Sequence, residues 1–220
     1  MIIMYSERLM NNLYVLYSSS SSNTYLFVGN KVILVDPGLN SKEILETWLG
    51  NIGFSFNEID YVFLTHAHAD HFVSVQYLKN SEVWCSRNAE QYLLTKDRFM
   101  TASAWFNNEY FPSELNVFKE GQVFDIGSFK LEVINLPGHS SDGVGFYDKK
   151  NKILVSGDTL FQGSCGRYDL ANSNKDKLRE SLVKLTALEY TLLLSGHGPV
   201  YNASEIKQKQ NITQILDMFF

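Results

Sequence analysis

The run Tyr61-Val62-Phe63-Leu64-Thr65-His66-Ala67-His68-Ala69-Asp70-His71 decides how the rest of the chain is read. Its first four residues are apolar and read as a short buried strand. The polar residues begin where that strand ends, in a loop that a rigid scaffold presents. In extended backbone, residues two apart point the same way, so His66 and His68 can grip one ion together. The chain then turns toward a helix carrying Val73, Val75 and Leu78, and Asp70 and His71 point elsewhere, toward a neighbouring ion. Imidazole and carboxylate without thiolate suit zinc, and also iron or manganese. Ala67 and Ala69 are small and leave room for ligands and water. One histidine would read as a structural residue. Three with an aspartate, clustered after a buried strand, need a partner to satisfy them.

Outward from this run, the chain has only five histidines, and the remaining two also follow apolar strands, in Leu136-Pro137-Gly138-His139 and Leu194-Ser195-Gly196-His197. The strand-like Ile153-Leu154-Val155-Ser156-Gly157 leads into Asp158. That residue reads either as a turn or capping aspartate or as a carboxylate bridging two cations. Asp36, in Val35-Asp36-Pro37-Gly38, reads as a turn residue or as a group that orients a ligand by hydrogen bonding.

Further strands are expected at residues 13–17, 24–28 and 31–35, the last two joined by a Gly29-Asn30 two-residue turn. Ser18 to Ser22 reads as a loop. Asn40 is expected to cap a helix, with Glu43 completing a capping box and Ile44, Leu45 and Trp48 forming the buried stripe. A strand follows at 82–85, then helix and irregular structure rich in aromatics over 87–112. The second half repeats the style. A strand is expected at 129–136, and a hairpin of 143–147 with 153–156. A helix capped by Asn174 follows, then a strand at 191–194 and a final helix from about Ala203. No linker interrupts the chain, so residues 1–220 read as one α/β domain of two strand-rich halves.

The 220 residues are 45% hydrophobic and 20% charged with a net charge of −5, which excludes a disordered chain and argues against a nucleic-acid or membrane-surface partner. A small-molecule substrate is the expected partner. The opening residues Met1 to Arg8 show neither a basic n-region nor a long apolar stretch. Cys85 and Cys165 cannot build a disulfide framework. A cytoplasmic, reduced protein is expected.

His66-x-His68-x-Asp70-His71 followed in order by His139, Asp158 and His197, with Asp36 ahead, resembles the metallo-β-lactamase superfamily over nearly the whole chain. The resemblance implies a four-layer αβ/βα sandwich, two mixed sheets face to face with helices outside. Gly157-Asp158-Thr159-Leu160-Phe161-x-Gly163-Ser164-Cys165-Gly166-Arg167 and Leu136-Pro137-Gly138-His139-Ser140 are similar to the glyoxalase II branch. That similarity implies two divalent ions, zinc ahead of iron or manganese. His66, His68 and His139 would hold one, Asp70, His71 and His197 the other, and Asp158 would bridge them. Asp36 would orient a ligand from behind. A bridging hydroxide would attack a thioester or related ester, with Asp70 orienting it or moving its proton.

Two departures bear on the substrate. Only residues 198–220 follow His197, where glutathione-specific members carry a longer helical segment. Arg167-Tyr168-Asp169-Leu170 is closer to small glyoxalase-II-like hydrolases and to persulfide dioxygenases. A mononuclear iron persulfide dioxygenase, with iron on His66, His139 and Asp158, is therefore the alternative. No substrate-binding residue is assigned. The aromatics between Tyr92 and Phe111 either roof a cleft or pack the core. Cys165 reads as a small buried residue, without a base to activate it.

Overall fold

The computed structural model describes residues 4–220, so Met1 to Ile3 of the opening segment lie outside the described residues. The chain divides into two compact units. One holds the chain up to Phe118 together with Ile126–Ser128, and the other holds Lys119–Asp125 and Phe129–Phe220.

The first unit is built on a seven-stranded mixed sheet, in the order β1 (Met4–Met10), β2 (Leu13–Ser18), β3 (Thr24–Val28), β4 (Val32–Val35), β5 (Tyr61–Phe63), β6 (Glu82–Cys85) and β7 (Asn116–Val117). The first four strands run antiparallel and the last four parallel. Parallel neighbours need crossovers. These are α1 (Lys42–Asn51) between β4 and β5, α2 (Ala69–Phe72) between β5 and β6, and α3 (Arg87–Leu94) between β6 and β7. Leu34, Leu45, Leu49, Val62 and Phe72 are fully buried in one apolar cluster. Each contributes about 1.5–3 kcal/mol through the apolar surface it takes from water.

The second unit holds a six-stranded mixed sheet of β8 (Val123–Asp125), β9 (Lys130–Asn135), β10 (Val144–Asp148), β11 (Ile153–Gly157), β14 (Leu192–Ser195) and β15 (Tyr201–Asn202), in the order β15-β14-β11-β10-β9-β8. Here β11 and β14 pair in parallel and the other neighbours antiparallel. A small hairpin, β12 (Leu160–Phe161) with β13 (Ser164–Cys165), follows β11. Helix α4 (Lys175–Leu185) supplies the crossover to β14, and α5 (Glu205–Phe219) ends the chain. Leu178, Leu182 and Leu185 recur at helical spacing and are all buried. None of the described helices is long and apolar enough to cross a membrane.

The expected mixed α/β class, with two large mixed sheets and helices, is the one observed. Several local expectations need correction. The cap of α1 is Ser41, whose hydroxyl accepts from the Ile44 N–H, while Asn40 instead donates to the Pro37 carbonyl at 2.9 Å. Leu45, Trp48 and Leu49 are the buried residues of α1, and Ile44 is only partly covered. The β3–β4 register pairs Val28 with Val32, so Gly29 to Lys31 form a three-residue loop. Strand β1 was not expected at all. Its residues are mostly exposed at the sheet edge, and that erases the alternation that marks a half-buried strand.

Candidate metal centre

Strand β5 stops at Phe63, and the chain runs irregularly until α2 begins at Ala69. Within the same unit, backbone bonds pin this run at three places. The Ser22 N–H and the Ser21 hydroxyl both donate to the Asp70 carbonyl, at 3.1 and 3.0 Å. The Gly38 N–H donates to the His71 carbonyl at 3.0 Å, and the Ala69 N–H to the Thr101 carbonyl at 2.9 Å. The serine run that reads as a plain loop therefore also cradles the histidine-rich segment.

Asp36 organises the side chains. It is buried and takes the left-handed backbone conformation, with φ at 47°. Its Oδ1 accepts the Thr65 N–H at 2.8 Å, and its Oδ2 accepts the Thr65 hydroxyl at 2.7 Å and the His71 Nδ1–H at 2.9 Å. With Nδ1 bonded to Asp36, His71 presents Nε2 for a metal. The Thr65 hydroxyl gives its proton to Asp36 and lies 3.1 Å from His66 Nδ1, so it accepts from that nitrogen. His66 then presents Nε2, which lies 3.0 Å from His68 Nδ1. Ligand bonds of about 2.0–2.1 Å in a tetrahedral zinc site imply ligand-to-ligand edges of about 3.3 Å. The nitrogen pair is close to that spacing. The His66 and His71 rings stand 4.1 Å apart between centroids, and Asp70 Oδ2 is 4.0 Å from His71 Nε2.

The second unit carries a matching set on the ends of three strands. After β9, His139 donates from Nδ1 to the Arg167 carbonyl at 2.9 Å and turns Nε2 toward Asp158, 3.5 Å from Oδ2. After β14, His197 brings its Nε2 to 3.4 Å from the same oxygen. Asp158 follows β11 directly. Two imidazole nitrogens from separate loops thus face one carboxylate oxygen. Both separations exceed a good N–H···O bond and match the edge of a coordination polyhedron.

Two glycines allow this packing. A Cβ on Gly166 would stand 1.9 Å from the Asp158 carbonyl oxygen and 2.9 Å from His139. A Cβ on Gly138, at φ +143°, would stand 2.2 Å from the Leu178 backbone of α4. The Arg167 side chain pairs with Asp169 at 2.9 and 3.0 Å. Burial pushes the half-buried Cys165 thiol up to about 11, which leaves it protonated and unsuited to act as a nucleophile.

Each residue expected at the site thus sits in one of the two sets: Asp36, His66, His68, Asp70 and His71 in the first unit, and His139, Asp158 and His197 in the second. Sequence reading missed Thr65, the Arg167 carbonyl and the steric role of Gly166. Thr65 stands directly before His66 and was open to reading as a hydroxyl relay. A backbone carbonyl leaves no trace in sequence.

Residues 19–197 match the sequence model of the Metallo-beta-lactamase superfamily. The probable metallo-hydrolase YqgX of Bacillus subtilis is 33% identical over 190 residues, covering 81% of this chain and 85% of its own. Hydroxyacylglutathione hydrolase GloC of Haemophilus influenzae is 27% identical over 187 residues, covering 75% of this chain and 79% of its own. Among solved structures, BLEG-1 B3 metallo-β-lactamase superposes with a TM-score of 0.73 at 27% identity, over 99% of this chain and 97% of that one. TTHA1623 in a di-iron-bound form gives a TM-score of 0.70 at 31% identity, over 84% and 91%. This chain belongs to the metallo-β-lactamase superfamily, with the fold and the metal-type donor sets that go with it.

Proposed function

We propose that this metallo-hydrolase cleaves thioesters or related esters using two divalent metal ions, zinc ahead of iron or manganese. On this reading His66, His68 and His139 would hold one ion, Asp70, His71 and His197 would hold the other, and Asp158 would bridge them. The observation that carries the metal dependence is the Asp158 carboxylate oxygen faced by two imidazole nitrogens at 3.4 and 3.5 Å. The thioester part is supported by similarity to GloC and by the Gly157–Arg167 segment.

When bound, the metals supply a water acidified to near neutrality and an electrophile for the carbonyl oxygen. The chain's own residues do the rest. Asp36 and Thr65 fix the tautomers of His71 and His66. The Arg167 carbonyl fixes that of His139. Asp70 orients the attacking water and passes a proton to the departing sulfur. Water adds to the acyl carbon, the carbon–sulfur bond breaks, and a carboxylic acid and a thiol leave. We read residues 1–220 as one domain, a reading supported by a family match that spans residues 19–197 and so includes parts of both compact units. A small-molecule substrate and a reducing, cytoplasmic setting accompany this reading.

The test is metal analysis of the purified protein together with turnover of S-lactoylglutathione and simpler thioesters. About two ions per chain with thioester hydrolysis is the expected result. About one iron per chain, with oxygen consumption on a persulfide and no hydrolysis, would replace this reading with the dioxygenase. Turnover of a β-lactam alone would replace it with a lactamase.

A further inference from the structure

The hairpin of β12 and β13 sits between two parts of the second unit's donor set. Asp158 stands two residues before it, and Gly166 and Arg167 follow it directly. The returning chain brings Gly166 so close to the Asp158 carbonyl and to His139 that no Cβ fits there, and the Arg167 carbonyl accepts the His139 Nδ1–H at 2.9 Å. How His139 and Asp158 are set against each other therefore depends on how well this hairpin keeps its shape.

Its own ladder is too short to do that. It pairs only Leu160 with Cys165 and Phe161 with Ser164. An isolated two-stranded hairpin is marginal in water at best. The inner end is anchored, because Leu160 is fully buried and its carbonyl accepts the Ser156 hydroxyl at 2.7 Å. The tip is held from α5. There the Asn211 side chain spans the turn: its Oδ1 accepts the Gly163 N–H at 2.7 Å, and its Nδ2–H donates to the Phe161 carbonyl at 3.0 Å. Gly163 supplies the left-handed conformation that the turn needs, with φ at 75°. Asn211 is buried on α5 beside Ile212. Asparagine is a poor helix former and is costly to bury unless its polar atoms are bonded. Here both of them are used on the hairpin. Beyond Arg167, the Tyr168 ring lies 5.8 Å from the Phe220 ring at the end of α5, so the same helix meets this loop a second time.

We propose that Asn211 is a positioning residue of the metal centre. By clamping the hairpin tip it keeps the Arg167 carbonyl behind His139 and keeps Asp158 against Gly166, and so sets the affinity and the ligand field of the metal that these two side chains would hold. This rests on the reading of His139 and Asp158 as ligands, and not on which bond is cleaved.

The test uses the full chain loaded with zinc or with cobalt(II). Asn211→Leu keeps the volume and removes both bonds, and the milder Asn211→Ser has a side chain too short to span the turn. Gln208→Leu is the control. Gln208 is a buried amide on the same helix, but its Nε2 donates to the Thr191 and Tyr201 carbonyls, at 3.1 and 3.0 Å, and not to the hairpin. Chelator competition reads zinc affinity, visible absorption reads the cobalt ligand field, and melting of the metal-free protein reads stability. Both Asn211 variants should bind zinc about tenfold more weakly, the lower end of the range for loss of a group behind a ligand, and should shift the cobalt bands. Gln208→Leu should lower the metal-free melting temperature and leave both metal readouts at the parent's values. Should Asn211→Leu fail to fold, Asn211→Ser decides. Parent-like zinc affinity and cobalt bands in Asn211→Ser, or equal changes in Gln208→Leu, would overturn the proposal. A parent that binds neither metal would overturn it together with the metal-centre reading. Cobalt bands that depend on Asn211, in a protein that turns over no thioester, would uphold the clamp while removing the hydrolase reading.

Discussion

Asp36 shows how much one buried side chain can decide. Its two oxygens accept three hydrogen bonds, from the Thr65 N–H, the Thr65 hydroxyl and His71 Nδ1. Asparagine has nearly the same shape, but its amide nitrogen would meet a donor wherever it was placed. Asp36→Asn should therefore weaken metal binding about 10–100-fold, the range seen when a group behind a ligand is lost. Chelator-competition titration reads this directly, and an unchanged affinity would show that the carboxylate does not orient His71. Thr65→Ser should behave like the parent and Thr65→Val like Asp36→Asn, because only the hydroxyl reaches His66. Cys165 makes the opposite point. With its thiol pushed up to about 11 by burial, alkylation of the native protein should be slow at pH 7 and should climb only as the pH nears that value. Cys165→Ser should leave turnover intact; a variant without activity would give the thiol a chemical role.

At the level of elements, glycines mark where strands and helices leave space and where they do not. Gly166→Ala must move either the Asp158 carbonyl or His139, both of which a Cβ would overlap. It should cut activity by two orders of magnitude or more and lower the melting temperature as well, because the closest overlap is with backbone. Gly50, inside α1 and exposed, has nothing within 4 Å of its would-be Cβ. Gly50→Ala should stabilise the protein by about 0.5–1 kcal/mol, read as a raised denaturant midpoint at unchanged slope. The same contrast explains what was legible in the sequence. Strands buried on both faces, such as β10 and β11, announce themselves as apolar runs. So did α4, whose Asn174 cap and leucine spacing are both local signals. Edge strand β1 and the two-residue strands β7 and β15 carry no such pattern, because exposure or shortness removes the periodicity. The shift of the α1 cap from Asn40 to Ser41 has a tertiary cause: Asn40 is held by the turn at Pro37, and its carbonyl accepts the buried Ser74 hydroxyl at 2.8 Å. The donors of the site were legible because histidine is scarce in this chain. The groups that orient them were only partly so, since a carbonyl such as that of Arg167 acts whatever its side chain.

For the whole molecule, the donor sets have a thermodynamic consequence. Buried imidazoles and carboxylates gathered at close range are costly without a counter-charge, so the folded state gains from a cation more than a surface site would. A metal that binds the native chain and not the unfolded one stabilises it by RT ln(1 + [L]/Kd), about 4 kcal/mol at a thousandfold excess over Kd. For a chain of this size each kcal/mol moves the melting temperature by about 2–4 °C. Chelator-stripped protein should therefore melt about 8–16 °C below protein with saturating zinc, and should lose the thioester turnover proposed above until a divalent metal is returned. Asp158→Ala removes the carboxylate that both His139 and His197 face. That variant should abolish turnover, and its melting temperature should respond to zinc far less than that of the parent. If Asp158→Ala kept the full metal-dependent rise, the ions would be held without it. The bridging role would then fall while membership of the family stood.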